Sequence, residues 1–70
     1  MKIKGTVRHV DLGTGFWGIE SFDGDKYMPV NMPEQLKTEG RHVEVNAEAV
    51  DEMAGLHQWG RIVKITSFET

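Results

Sequence analysis

The chain has 70 residues, with 8 lysines and arginines against 11 aspartates and glutamates, so its formal net charge is −3. It contains no cysteine, which excludes disulfides and cysteine-based zinc sites. A chain of about 70 residues buries only roughly 60% of its unfolded surface, which argues against a deep, enclosed active site. With no basic-then-apolar leader and no run of about 18 apolar residues, we expect one soluble, cytoplasmic domain over residues 1–70.

The first two predicted strands form a hairpin. Polar and apolar side chains alternate from Lys2 to His9, which is typical of a half-buried strand. The alternation then slips, so we expect a bulge or the strand's end between His9 and Asp11. Two glycines within residues 13–15 supply the positive φ angles of a tight reversal. The second strand is predicted over Phe16 to Phe22.

A second turn and a helical connector follow. Asp23-Gly24-Asp25 predicts a type I′ hairpin turn, and the third strand then runs from Lys26 to Val30. Pro29 places that strand at an edge, or at its own end, because proline cannot donate to a ladder. In residues 31–40, Asn31 or Met32 ahead of a proline and a glycine at the end resemble a capped helical turn. We expect it to plug one end of the sheet.

The fourth strand alternates most clearly. Its predicted inward residues are Val43, Val45, Ala47 and Ala49, and its outward ones are His42, Glu44, Asn46 and Glu48. A polar loop is predicted over residues 51–56, and the fifth strand is predicted over residues 57–68. Its apolar residues divide between two parities: Trp59, Val63 and Ile65 on one, Ile62 and Phe68 on the other. Gly60 is the expected bulge at which the apolar face changes sides.

Five strands with one helical connector between the third and fourth is the element order of the OB-fold. A closed barrel also suits five short strands because it hides edge backbone groups that would otherwise template aggregation. The expected fold class is therefore all-β, an OB-like small barrel, with an SH3-like barrel as the alternative. Its interior should contain Val7, Ile19, Val43, Val45 and Val63.

The chain resembles two known families. The run from Lys4 to Arg8, followed by Gly15 to Ile19, resembles the opening of cold-shock domains, which are OB-folds that stack single-stranded nucleic acid on aromatic rings. His9, Val10 and Asp11 stand where that family has tryptophan, phenylalanine and asparagine, so the resemblance supports the fold more than the activity. Nearly the whole chain resembles small bacterial and archaeal OB-like proteins of uncharacterised function. The shared segments are Gly15 to Ile19, Asp23 to Tyr27 and His57 to Gly60.

Aromatic and basic side chains are the candidate recognition residues. We expect Trp17 and Trp59 to pack in the core or at its rim, because small barrels build their interiors from such rings. Simple hairpin register puts Phe16 and Tyr27 on the opposite face, where they could stack a base. Lys2, Lys4 and Arg8 form a basic stripe on the first strand, which cross-strand pairs with Glu44 and Glu48 would explain equally well.

Catalytic and metal sites are not indicated. His9, His42 and His57 lack the short spacings of a metal motif, and Asp23-Gly24-Asp25 lacks the later ligands of a calcium loop. No nucleophile elbow or phosphate-cradling glycine motif is present. We therefore expect no enzymatic activity, no metal and no cofactor.

The sequence predicts a non-enzymatic binding module whose partner meets the outer face of the second and third strands. The candidate binding residues are Arg8, Phe16, Lys26, Tyr27, His57 and Arg61. Single-stranded nucleic acid is one candidate partner. The alternative is a protein-interaction or structural module, including a homodimer joined through an open barrel edge near Pro29 or at the fifth strand; no membrane partner is expected.

Overall fold

The computed structural model describes residues 1–50 and 59–69. Five strands form a closed barrel in the order β1-β2-β3-β5-β4, and a single 3₁₀ turn, η1, lies between the third and fourth strands. This confirms the all-β, OB-like small barrel, and the position of η1 matches the predicted element order. The elements are β1 (Lys2–Val10), β2 (Phe16–Ser21), β3 (Lys26–Pro29), η1 (Glu34–Leu36), β4 (His42–Ala49) and β5 (Arg61–Phe68).

The interior is aliphatic and includes all five of the residues predicted to fill it. The core cluster consists of Ile3, Val7, Ile19, Leu36, Val43, Val45, Ala47, Val63 and Ile65. Leu36 is fully buried, so the short turn plugs the barrel as expected. Ala49, predicted to face inward, is exposed at the last position of β4.

Strand β1 pairs with two neighbouring strands, β4 and β2. Its first half pairs with β4 as far as Thr6, and its second half pairs with β2 from Gly5 onward. An ideal Cβ on Gly5 would overlap the backbone oxygen of Glu20, so only glycine permits this close approach. The strand ends at Val10, within the predicted window, and Gly13 and Gly15 have the expected positive φ angles.

The β2–β3 hairpin has a different turn from the predicted one. Ser21 N–H donates to the Asp25 carbonyl, and Gly24 N–H donates to the Ser21 carbonyl, which leaves a three-residue loop over 22–24. A type I′ turn needs two positive φ angles. Gly24 has one, at 101°, but no described non-glycine residue does. The type I′ prediction is therefore wrong, although the reversal lies where it was expected.

The barrel closes between β3 and β5, so the predicted open edge near Pro29 or at the fifth strand is wrong. These strands run parallel, with Pro29 opposite Val63. Beyond Pro29, where β3 has ended, the Asn31 side chain pairs with the backbone of β5 as a neighbouring strand would. Its Nδ2 donates to the Ile65 carbonyl at 2.9 Å, and its Oδ1 accepts from Ile65 N–H at 2.8 Å. Asn31 therefore does not cap η1, whose N-cap residue is Pro33.

The fifth strand starts at Arg61, later than predicted. Trp59 and Gly60 form a bend, and residues 57 and 58 lie outside the described residues. An ideal Cβ on Gly60 would lie 2.6 Å from the backbone oxygen of Lys26, which explains the glycine without a bulge. The bulge lies instead at Thr66, where the β4–β5 register shifts by one residue and turns Phe68 toward the core.

Candidate recognition groove

A second apolar cluster lies outside the barrel interior, on the outer face of β3 and β5. Met28 and Ile62 are both buried and adjacent in the β3–β5 ladder, yet neither belongs to the core cluster. A groove of about 500 Å³ opens beside Met28, between the β1–β2 connection and Trp59. Its other apolar walls are Leu12, which is 57% exposed, and the half-buried Phe16.

Trp59 covers the sheet at Gly18. An ideal Cβ on Gly18 would overlap Cζ3 of Trp59 and would lie 2.6 Å from its Cη2. The ring therefore occupies the space that any other residue's side chain would fill. Trp59 was predicted to pack in the core or at its rim; it lies outside the barrel, half-buried, and forms one wall of the groove.

Phe16 and Lys26 complete the surroundings of the indole. The Phe16 and Trp59 rings meet edge to face, with centroids 5.8 Å apart. Lys26 Nζ lies 5.4 Å from the Trp59 centroid, within the range of a cation–π contact. Phe16 and Lys26, two of the predicted site residues, are thus brought together by Trp59, which was not among them.

Arg8 lies on the same outer face but is already paired. It stands opposite Gly18 in the β1–β2 ladder. Its Nε lies 3.4 Å from Glu20 Oε1, and its Nη1 lies 3.2 Å from Glu39 Oε2. Hydrogen bonds to Glu39 and then to Glu20 raise the pKa of Arg8 above its usual value. Two carboxylates therefore flank the Arg8 guanidinium.

Glu39 attaches the segment after η1 to β1. Its Oε1 accepts from His9 N–H at 2.6 Å while its Oε2 contacts Arg8. The hydrogen bond from His9 N–H, followed by the one from Arg8, lowers the pKa of Glu39. These hydrogen bonds therefore favour the charged form of the Glu39 carboxylate beside Arg8.

The remaining candidates lie elsewhere. Tyr27 stands opposite Ile19 and packs against the core, so its predicted outward orientation is wrong. The three-residue loop causes this, because a one-residue change of register turns every side chain to the other face. Arg61 is exposed opposite Tyr27 in the β3–β5 ladder, and His57 lies outside the described residues.

Two residues of the basic stripe on β1, Lys2 and Arg8, pair with different carboxylates. Lys2 Nζ lies 3.1 Å from Glu44 Oε2, as the cross-strand explanation expects. Arg8 instead pairs with Glu20 and Glu39, because β1 leaves β4 after Thr6. Glu48, the other predicted partner, stands opposite Lys64 of β5.

Metal-binding clusters and membrane-spanning helices are absent from residues 1–50 and 59–69. Within those ranges, no group of three or more histidine, aspartate or glutamate side chains could hold a metal ion. In the same part of the chain, no helix has the length and apolar character needed to cross a membrane.

Comparisons with family models, with curated proteins and with solved structures gave no match for this chain. The two family resemblances seen in the sequence therefore stay predictions. Any argument for function rests on the geometry of the groove.

Sequence reasoning missed several residues of this site: Leu12, Gly18, Met28, Glu39 and Trp59. The Met28 side chain can be assigned to the outer face only when the β2–β3 loop is known to have three residues. Gly18 stands between Trp17 and Ile19 in the strand, so alternation places it on the outer face. A glycine there leaves space for a ring to pack against the backbone. Nothing in the sequence signals that Glu39 reaches β1, 30 positions away along the chain.

Proposed function

We propose that this chain is a non-enzymatic binding module of the OB class, working in the cytoplasm, whose partner docks in the groove on the outer face of β2 and β3. The observation that carries the proposal is the open apolar groove between Leu12 and Trp59. OB-folds bind ligands on the face of strands two and three with the adjoining β1–β2 and β4–β5 loops. Leu12 belongs to the first of those connections and Trp59 to the second.

The exposure of the groove supports recognition over simple packing. A large aliphatic side chain such as Leu12, 57% exposed next to two half-buried aromatic rings, leaves apolar area in contact with water. Contiguous apolar surface with a few polar groups at its edge is typical of a binding site. The groove is thus suited to an apolar or aromatic group supplied by a partner.

Single-stranded nucleic acid is the partner that the aromatic pair favours. A base stacked on an exposed aromatic ring contributes roughly 1–3 kcal/mol to binding, and Lys26 stands beside Trp59 to meet a phosphate. A protein partner is the alternative that the charge favours, since the chain carries a formal −3 and Arg8 is already bound by carboxylates.

The test is an amide chemical-shift titration of the folded chain at low salt with two probes, indole and a thymidine decanucleotide. We expect indole to shift the amides of Gly15, Phe16 and Gly18, because it is a neutral, planar group that the groove can hold. If neither probe shifts these amides, the groove is not a binding site and the proposal fails.

Leu12→Ser and Phe22→Ser form a matched pair of variants for that titration. Both side chains are exposed, at 57% and 63%, but Phe22 lies on the β2–β3 turn, where its ring contacts His42. Leu12→Ser should weaken indole binding about threefold or more, and Phe22→Ser should leave it unchanged. Equal effects of the two substitutions would show that the probe binds somewhere else.

A further inference from the structure

We propose that the occupant of the groove is a polypeptide segment that presents one apolar side chain flanked by basic residues. This inference rests on the binding function proposed above and names the partner class for the same site. Two features of the described residues carry it: the apolar lining of the groove, and the excess of carboxylates along its β1 side.

The apolar lining defines the anchor. Leu12, Phe16, Met28 and Trp59 surround a space of about 500 Å³. That volume is at the lower end of small-ligand pockets, roughly 300–1,000 Å³, and accommodates one large side chain. Because Leu12 is 57% exposed, the groove is open to solvent on that side, and an extended segment can continue past it there.

The β1 side of the groove is acidic. Arg8 is contacted by both Glu20 and Glu39, and Glu20 also stands opposite Lys26 in the β2–β3 ladder, so carboxylates already offset the positive charge of Arg8. Asp11, directly before Leu12, adds a negative charge: its side chain is 92% exposed, and its Oδ1 lies 3.3 Å from His9 Nδ1. A cationic side chain arriving beside Leu12 therefore meets a favourable potential.

The same charges disfavour a polyanion. Single-stranded nucleic acid carries a phosphate at every nucleotide, so it cannot keep all of its negative charges away from Asp11 and Glu39. Lys26, on the opposite side of the groove, already contacts Trp59 and stands across the ladder from Glu20. A peptide carries charges only where its sequence places them, so it can set lysine or arginine against the acidic side alone.

The experiment compares four ligands by amide shift titration at low salt and again in 0.3 M salt. They are a heptapeptide with a central leucine flanked by lysines, the same peptide with glutamines for lysines, the same with alanine for leucine, and a thymidine decanucleotide. We expect the lysine–leucine peptide to bind at the groove about fivefold more tightly than either peptide control. Its advantage over the glutamine peptide should shrink at high salt, because screening weakens exposed charge pairs.

Asp11→Asn and Glu44→Gln are the matched variants. Each removes one exposed negative charge, but Glu44 pairs with Lys2 on the β1–β4 side of the barrel. Asp11→Asn should weaken the lysine–leucine peptide about two- to fourfold, and Glu44→Gln should have no effect. Equal losses in the two variants would mean that only net charge matters, which overturns the proposed site of the cations.

The remaining outcomes separate this inference from the binding function. If indole binds the groove but the lysine–leucine peptide binds no better than its controls, the partner class is wrong and the binding function stands. Tighter binding of the decanucleotide at the groove would also overturn the partner class, this time in favour of nucleic acid. Concentration-dependent shifts of the groove amides without ligand would make a second copy of the chain the occupant. If no probe reaches the groove, both proposals fail.

Discussion

The inside of the barrel and the outer face of β2 and β3 are both apolar, but they are covered in different ways. Ile19 and Val63 are completely enclosed by backbone and neighbouring aliphatic side chains. Met28 and Ile62 are nearly as buried, yet they lie outside the core cluster, on the face where Trp59 forms the cover. The inner cluster thus holds the fold together. The outer one lies beside an open groove, of which the Trp59 ring forms one wall.

The largest effect should come from emptying the inner cluster. Ile19→Ala should lower the free energy of unfolding by about 2–5 kcal/mol, because it removes a fully buried side chain and leaves a cavity. Leu12→Ala, at the exposed wall of the groove, should change it by about 0.5 kcal/mol or less. Urea unfolding of the two variants checks the contrast. Similar losses at both positions would mean that the groove wall is part of the core.

Two glycines provide a second contrast between inside and outside. A Cβ at Gly5 meets the backbone of β2, whereas a Cβ at Gly18 meets the Trp59 ring, which can move aside. Gly5→Ala should therefore cost about 3 kcal/mol and Gly18→Ala about 1 kcal/mol. Urea unfolding measures both losses, and Gly18→Ala should also change the tryptophan emission. An unchanged emission spectrum would contradict the placement of Trp59 on Gly18.

A substitution at Asn31 tests how the barrel is closed along β5. Asn31→Ala should lower the free energy of unfolding by about 1–3 kcal/mol, because the part-buried Ile65 N–H and C=O lose their side-chain partner. Asn46→Ala, which removes an exposed bond to Ser67, is the matched control and should cost about 0.5 kcal/mol. If the two substitutions cost the same, Asn31 does not close the edge of β5.

The smallest effect concerns Glu39, on the β1 side of the groove. Its pKa is lowered from an ordinary value of 4.5 by His9 N–H and then by Arg8. Its carboxylate therefore stabilises the fold above about pH 4.5, and this stabilisation is lost as the pH falls through the lowered value. Glu39→Gln should be less stable than the natural chain at pH 7, and the gap should be smaller at a pH well below 4.5. A gap of constant size in urea unfolding at the two pH values would contradict the role of the charge.

The barrel could be predicted from the sequence because its interior follows simple alternation. Val43, Val45 and Val63 have the period of two that a half-buried strand requires, and each is buried. The two glycine-containing turns also lie at their predicted places. Local patterns of this kind need no knowledge of distant contacts.

The groove could not be predicted because it depends on register and on long-range contacts. One residue more in the β2–β3 loop turned Tyr27 inward and Met28 outward. The bulge at Thr66, rather than at Gly60, decided that Phe68 faces the core. Trp59 reaches Gly18 across the barrel surface, 41 positions along the chain, and alternation within one strand carries no information about such a contact.

The most direct test of the groove is the nuclear Overhauser spectrum of the folded chain at the Gly18 α protons. The close approach of Trp59 Cζ3 and Cη2 predicts strong cross-peaks from the indole six-membered ring to these protons. It also predicts α-proton shifts displaced by the ring current. If the cross-peaks are absent and the Gly18 shifts are ordinary, the ring does not cover the sheet, and the groove as a recognition site is contradicted.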